Sequence, residues 1–188
     1  MGMTEAMAKA ALHWQRVEGV HALRLRHADG RAALDAACAA AGLPALPGPG
    51  CFSGNGESGG GPWLVWRSPS EWLFIGGGAE AKAEAEAEAE SAMRALQRAL
   101  APGRHTLACA IDGSDGVLVL ALQSPQLDQQ LAHLADASAI PQQPGQATTL
   151  RLAQVPVCVL RTAPERAWLV VDLALGDHVL AWLQHIGH

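Results

Sequence analysis

At 188 residues, 49% apolar and 16% charged, with a formal net charge of -5, the chain is long enough to bury a core without metal or disulfide staples, as one domain or two small ones. Its 13 Lys and Arg, of which only Lys9 and Lys82 are lysines, are too few and too scattered to track a phosphate backbone, which excludes the nucleic-acid binders. Cys38, Cys51, Cys109 and Cys158 form no C-x-x-C pair, the N-terminus has no signal-peptide design, and no apolar run approaches the roughly 20 residues of a membrane span, so the expectation is a cytoplasmic protein with reduced, buried thiols.

Residues 1–12 are Ala-rich and read as a short helix or a frayed arm. Val20, Ala22 and Leu23 to Leu25 give an imperfect alternation that predicts a strand over Gly19 to Arg26, punctuated by Asp29-Gly30. A helix follows with Leu34, Ala37, Cys38 and Ala41 on one face, Asp29 as N-cap and Gly42 at C′. Leu43 to Pro62, rich in Pro, Gly, Ser and Asn, is expected to be a long flexible loop. Strands at Trp63 to Arg67 and Trp72 to Ile75 then pair as a hairpin across Ser68-Pro69-Ser70-Glu71.

Ala79 to Leu100 has high helix propensity, but its Ala/Glu first half, roughly 79–92, has no apolar face larger than alanine and sets Glu84 against Glu88 and Glu86 against Glu90 at i,i+4. It is expected to stand exposed, with Met93, Leu96 and Leu100 alone docking the helix before Pro102-Gly103 ends it.

The design then repeats. A strand at His105 to Ile111 leads across Asp112-Gly113-Ser114-Asp115 into GVLVLAL at Gly116 to Leu122, which matches GVHALRL at Gly19 to Leu25 at an offset of 97 residues. At the same offset Leu131 stands for Leu34, in a helix capped by Ser124 with Pro125 at N1 and with Leu127, Leu131 and Leu134 buried. After a polar Pro/Gln loop at Ala139 to Gln146, strands are expected at Thr148 to Leu152, Val155 to Arg161 and Trp168 to Val171. A last helix puts Leu175, Val179, Leu183 and Ile186 on one face. RSPSEWLFIG (67–76) and RTAPERAWLVV (161–171) share an Arg, a Pro turn and a Trp-led strand, so Trp72 and Trp168 are expected at matching core positions. The fold class is α+β: two strand-helix-strand-strand-helix modules, mainly antiparallel, with helices packed on the sheet. The modules are divided at 1–103 and 104–188 and expected to form one compact unit.

No self-sufficient catalytic set is legible, so the site prediction names no catalytic residue and no metal ligand and leaves cofactor-binding residues unknown. Gly76-Gly77-Gly78 sits where a phosphate cradle would, but it lacks the Lys-Ser/Thr of a P-loop, and Glu80, Glu84 and Glu86 would repel a phosphate. His13, His21, His27, His105, His133, His178, His185 and His188 show no metal spacing. Gly50-Cys51-Phe52-Ser53-Gly54 is no nucleophile elbow, because nothing predicts the strand–helix turn it needs. Asp112 and Asp115 read as turn-formers, with presentation of a carboxylate to a ligand as the alternative. Trp63, Trp66, Trp72, Trp168 and Trp182 read as core, or as partner contacts; Arg67, Arg161 and Glu71 read as structural.

The pattern W-x-S-P-S-E-W-L-F-I at Trp66 to Ile75 resembles the "SPDEWLL" segment of the gamma subunit of heterotetrameric sarcosine oxidase. In the same order, Ile111 to Gly116 is similar to that family's "VDVSDG" and Leu120 to Pro125 to its "LRLSGP". Arg151 to Val157, Trp168 to Val171 and the terminal helix with Ala181-Trp182-Leu183 continue the match. The resemblance implies a fold like the folate-binding domain of the glycine-cleavage T-protein. It also implies an accessory gamma-like subunit of a complex that oxidatively demethylates sarcosine, with alpha, beta and delta subunits as partners and with FAD, FMN, NAD and tetrahydrofolate held on those subunits. The alternative is a free-standing folate- or pterin-binding module. The family's "PGRCAQT" is Pro144-Gly145-Gln146-Ala147-Thr148-Thr149-Leu150 here, without the Arg, Cys and Gln, and the T-protein motif K-G-C-Y-x-G-Q-E is absent.

Overall fold

A computed structural model of the chain describes residues 12–28, 31–54, 61–78, 83–102 and 107–186. Asp29 itself, the Ala-rich start, most of the Gly-rich run at 59–61, and His105 and His188 lie outside them. The described strands form two five-stranded sheets in which every ladder is antiparallel.

In the first sheet the order is β3 (Phe52–Gly54), β4 (Trp63–Ser68), β5 (Glu71–Gly77), β2 (Val20–His27), β6 (Ala108–Asp112). In the second it is β8 (Ala147–Leu152), β9 (Val155–Ala163), β10 (Arg166–Asp172), β7 (Val117–Gln123), β1 (His13–Arg16). The two orders superimpose element for element, and they share an exchange. β1 precedes β2 in the chain yet pairs with β7, while β6 opens the second copy yet pairs with β2. Val17 N–H donates to Val119 O at 2.9 Å, and Gly113 N–H donates to Ala22 O, 97 residues before Val119, at 3.0 Å. At the opposite margin the sheets are stitched directly: Phe52 N–H donates to Gly145 O and Ala147 N–H to Gly50 O, both at 2.9 Å.

Strand alternation sends one set of side chains between the sheets and the other toward the helices. Ala22, Trp63, Val65, Leu73 and Ile75 meet Val119, Cys158, Leu160, Trp168 and Val170 in the middle layer. Trp63 and Trp168 cross edge to face there with centroids 4.5 Å apart, a geometry that adds about 1 kcal/mol to the area they bury. Leu23, Leu25, Trp72 and Phe74 pack against α1 (Ala32–Ala40) and α2 (Ala83–Ala99), and Leu118, Leu120, Leu122 and Leu169 against α3 (Leu127–Ala132) and α4 (Gly176–Ile186). The layers run helix, sheet, sheet, helix, the α+β arrangement expected.

The helix stripes are as the periodicity predicts: Leu34, Ala37 and Cys38 on α1, Leu127 and Leu131 on α3 and Val179 and Leu183 on α4 are buried. Gly42, at φ +71°, is the C′ residue of α1. Its N–H donates to Ala39 O and that of Leu43 to Cys38 O, which closes a Schellman motif over the helix end.

Five expectations are corrected. The described part of the 43–62 segment is built into the fold: Leu46 is buried and β3 pairs with β4, because apolar Leu46 and Phe52 outweigh the Pro/Gly composition. The Ala/Glu half of α2 is not wholly exposed, since Ala89 and Ala92 are buried. A Cβ placed on Gly76 would lie 3.0 Å from Ala89 Cβ, so small residues on both sides bring the helix close to β5. Helix α3 starts later than predicted; Ser124 Oγ accepts from Gln126 N–H at 3.1 Å in the turn before it. The N-cap of α1 is Arg31, with no side-chain cap. Finally, Trp168 does not match Trp72. Trp72 pairs with Leu25, and Leu122, the counterpart of Leu25, pairs with Ala167, so Trp168 is the twin of Leu73 and faces the other sheet. Both tryptophans are buried, on opposite faces. A slip of one residue in the aligned strands exchanges the faces.

Candidate functional site

The turn residues singled out by sequence build the strand exchange. Asp112 ends β6, and its Oδ1 accepts from Ser114 N–H at 3.0 Å and from Ser114 Oγ at 2.8 Å, while Gln97 Nε2 donates to Oδ2 at 3.2 Å. Ser114 Oγ in turn accepts from Ala22 N–H at 3.0 Å. The backbone N–H of Ser114, foremost, with the Ser114 hydroxyl, Gln97 and the field of His21, holds the Asp112 carboxyl below its ordinary value against a smaller opposing effect of burial. Both carboxylate oxygens are thus spent on the crossing, which is the turn-forming reading of Asp112. Asp115 stands exposed on a short 3-10 turn, Ser114–Gly116.

Gly76 to Gly78 is a crossing as well. Gly77 and Gly78 take φ +79° and +123°, and a Cβ on Gly78 would fall 2.6 Å from Val17 Cγ1. The strand end is packed against the segment that joins β1 to β2, which is the structural use of these glycines; residues 79–82, Glu80 among them, lie outside the described residues. Ser53 Oγ donates to Ala45 O at 3.0 Å, so the hydroxyl of the G-x-S-x-G look-alike serves the loop beside β3.

Two groups of charged residues are built around Glu71 and Arg161. Glu71 takes Arg24 through two bonds, Nε at 3.2 Å and Nη2 at 3.0 Å, and Arg26 Nε at 3.3 Å. Arg161 is buried and donates to Asp128 Oδ1 at 2.5 Å, to Ala163 O at 3.0 Å and to Pro164 O. The ladder makes Trp66, which pairs with Trp72, the twin of Arg161, which pairs with Ala167; Arg67 is offset from it by one.

Among the described residues no three His, Cys, Asp or Glu side chains gather as metal ligands. His27 stacks on Trp72 at 5.6 Å with Nε2 3.1 Å from Pro69 O, His178 Nε2 lies 2.8 Å from Ala153 O and His185 Nδ1 lies 2.7 Å from Ala181 O. All four cysteines are free thiols, but only Cys38 and Cys158 are buried as expected; Cys51 and Cys109 stand exposed at sheet margins. Burial, helped by Asp35, pushes the Cys38 thiol up to about 12, and burial raises Cys158, so neither is a ready thiolate.

One concavity went unread in the sequence. A shallow cleft of about 470 Å³ opens between the end of α3 and the β8–β9 hairpin, lined by His133, Asp136, Leu150, Arg151 and Gln154 among others. The hairpin turn is Ala153-Gln154, left-handed at φ 50° and 74° without the Gly or Asn that signals such a turn. Ala153 N–H donates to Leu134 O at 2.9 Å and Arg151 Nη1 to Gln154 O at 3.2 Å, which hold the turn. Asp136 Oδ1 accepts from the N–H and hydroxyl of Ser138. Arg151 and Asp136 thus bond within the walls of the cleft.

At the level of sequence, no family model and no curated protein matches the chain. Solved structures do. A chain of the heterotetrameric sarcosine oxidase from Corynebacterium sp. U-96, in complex with pyrrole 2-carboxylate, matches with a TM-score of 0.76 at 24% identity over 95% of this chain and 85% of that one. The glycine cleavage system aminomethyltransferase T from Bartonella henselae matches at 0.62 and 14% identity over 93% of this chain and 46% of that one. The fold is T-protein-like. In that fold, the SPSEW segment is the β4–β5 hairpin and the IDGSDG segment is the exchange between sheets. The expected architecture therefore stands, and the two motifs that suggested it are parts of its frame. No helix among the described residues is long and apolar enough to cross a membrane.

Proposed function

We propose that this chain is an accessory, gamma-like subunit of a sarcosine oxidase-type complex, in which flavin, NAD and folate chemistry resides on partner subunits and this chain contributes structure and docking surface. The observation that carries the reading is the superposition of 95% of the chain on a chain of a heterotetrameric sarcosine oxidase. Two features support it. The motifs shared with the gamma family occupy the hairpin and the exchange that define the frame, and the most buried charged side chains among the described residues, Arg161 and Glu71, are spent on neighbouring carboxylates, guanidinium groups and backbone carbonyls. Co-expression of the tagged chain with the large flavoprotein chains of a sarcosine oxidase from the same organism tests this: stoichiometric co-purification is expected, and recovery of the tagged chain alone would refute it.

A second reading, a free-standing folate or pterin binder, is favoured by the cleft at the β8–β9 hairpin, whose volume of about 470 Å³ falls in the range of small-molecule sites. Titration with tetrahydrofolate, followed by chemical shifts of Arg151 and Gln154, decides it; unmoved resonances at millimolar ligand would dismiss it.

A further inference from the structure

Three sheet margins are closed or blunted, and one is not. The β3 and β8 margins meet through Cys51–Gln146 and the bonds around them. The margin at β1 is four residues long and turns polar His13 and Gln15 to the inner face. β6 is its twin in the other sheet, and the inner-face residues at this margin are Leu107, Cys109 and Ile111, with Leu107 47% and Ile111 44% exposed. Gly113 N–H donates to Ala22 O and Ala28 N–H to Leu107 O, so the narrow pairs of this antiparallel ladder are Ile111 with Arg24 and Cys109 with Arg26. The N–H and C=O of Ala108, Ala110 and Asp112 therefore point away from β2, and no described strand pairs with them.

Exposed edges of this kind are templates for another strand, and natural proteins blunt them with Lys, Pro or bulges. The described part of β6 has none of these. Beside its apolar stripe, on the same face, Arg24 and Arg26 are each about half exposed and share the one carboxylate of Glu71, a surplus of positive charge in a chain of net charge -5.

We propose that the outer edge of β6 takes an extended segment of a partner subunit as a sixth strand, a segment whose inner-face residues, every second one, are apolar beside Leu107 and Ile111 and acidic between them, toward Arg24 and Arg26. Strand addition provides the backbone bonds, and the alternating side chains provide the selectivity. A second copy of this chain is the poorer occupant, because the inner-face residues of its own β6, Leu107, Cys109 and Ile111, include no carboxylate. The proposal deepens the subunit reading and rests on it for the identity of the partner.

The test uses the full chain co-expressed with the flavoprotein chains of a sarcosine oxidase from the same organism. Ala110→Pro deletes an outward N–H while leaving the β2 ladder, and Ile111→Lys charges the stripe; each is expected to weaken assembly at least tenfold with the chain's melting temperature unchanged. Gln15→Lys on the twin edge is expected to leave assembly as it was. Amide exchange at Ala108, Ala110 and Asp112 is expected to slow at least tenfold in the complex. Assembly that survives both β6 variants, with exchange there unchanged, overturns the proposal and leaves the subunit reading standing. Assembly of a homodimer through β6 overturns the choice of partner, and failure of the wild-type chain to assemble at all overturns both.

Discussion

The two halves join the start of a helix to the end of a hairpin in different ways. In the first half Arg31, at the start of α1, lies over the ring of Trp72 at 5.5 Å, with His27 stacked on the same indole and Trp72 Nε1 donating to Pro47 O at 3.0 Å. In the second half the residue 97 positions on is Asp128, in the first turn of α3, and it meets the buried guanidinium of Arg161 at 2.5 Å. The frame is duplicated; the chemistry of the joint is not. One joint is an aromatic plate with a cation on it and the other an ion pair, so the frame constrains where the contact falls and leaves its residues free to diverge.

The largest expected effect is at the plate. Trp72→Ala removes a ring from the helix-side core and leaves Pro47 O without its donor, so a loss of about 3–5 kcal/mol in chemical denaturation is expected. Arg161→Met keeps the volume but abandons Ala163 O and Pro164 O. Because Asp128 is partly exposed and solvent receives it, the expected cost is about 2–3 kcal/mol, below that of stranding a buried charge. A reversal of this order would break the comparison. Arg31→Ala removes the cation together with its ion pair to Asp35 and its bond to Leu46 O. With Arg31 well exposed, about 0.5–1 kcal/mol is expected, and the same change in a Trp72→Phe background sharpens it if the two losses fail to add.

The smallest effect concerns the crossing that both halves share. The folded value of Asp112 lies below its ordinary one, so its contribution is complete above the unfolded value of about 3.9 and is lost as the pH falls through the folded value. Asp112→Asn is expected to flatten the acid limb of stability below about pH 4 and to leave the slope at neutral pH unchanged, which a series of melts across pH 2–7 would read.

Much of the frame was legible. The helix stripes at Leu34 and Leu131, the SPSE hairpin and the C′ glycine each depend on neighbours a few residues away, which periodicity and turn chemistry report. The exchange of β1 and β6 was not, because alternation states which face a side chain takes and says nothing of which sheet supplies the partner. Ala89 against Gly76 was missed since a close helix–sheet approach is built from small residues that leave no apolar signal. The pairing of Trp72 with Trp168 failed for a related reason: two Trp-led strands look alike, and only the ladder shows that their registers differ by one. At the site, Asp112 was read as a turn-former and is one. The place of the Ala153-Gln154 turn followed from the strand bounds on either side of it, but its left-handed backbone and the cleft beside it gave no signal, having neither glycine nor a recognisable ligand motif.

The proposed role puts this chain in a complex whose chemistry lies on other subunits. Sarcosine-dependent turnover tests it most directly, measured for the flavoprotein chains with and without this chain and for this chain alone, with each mixture sized in parallel. The expected result is one stoichiometric complex that turns over sarcosine and an isolated chain that does not; turnover by the isolated chain, or a chain that stays monomeric beside its partners, would contradict it.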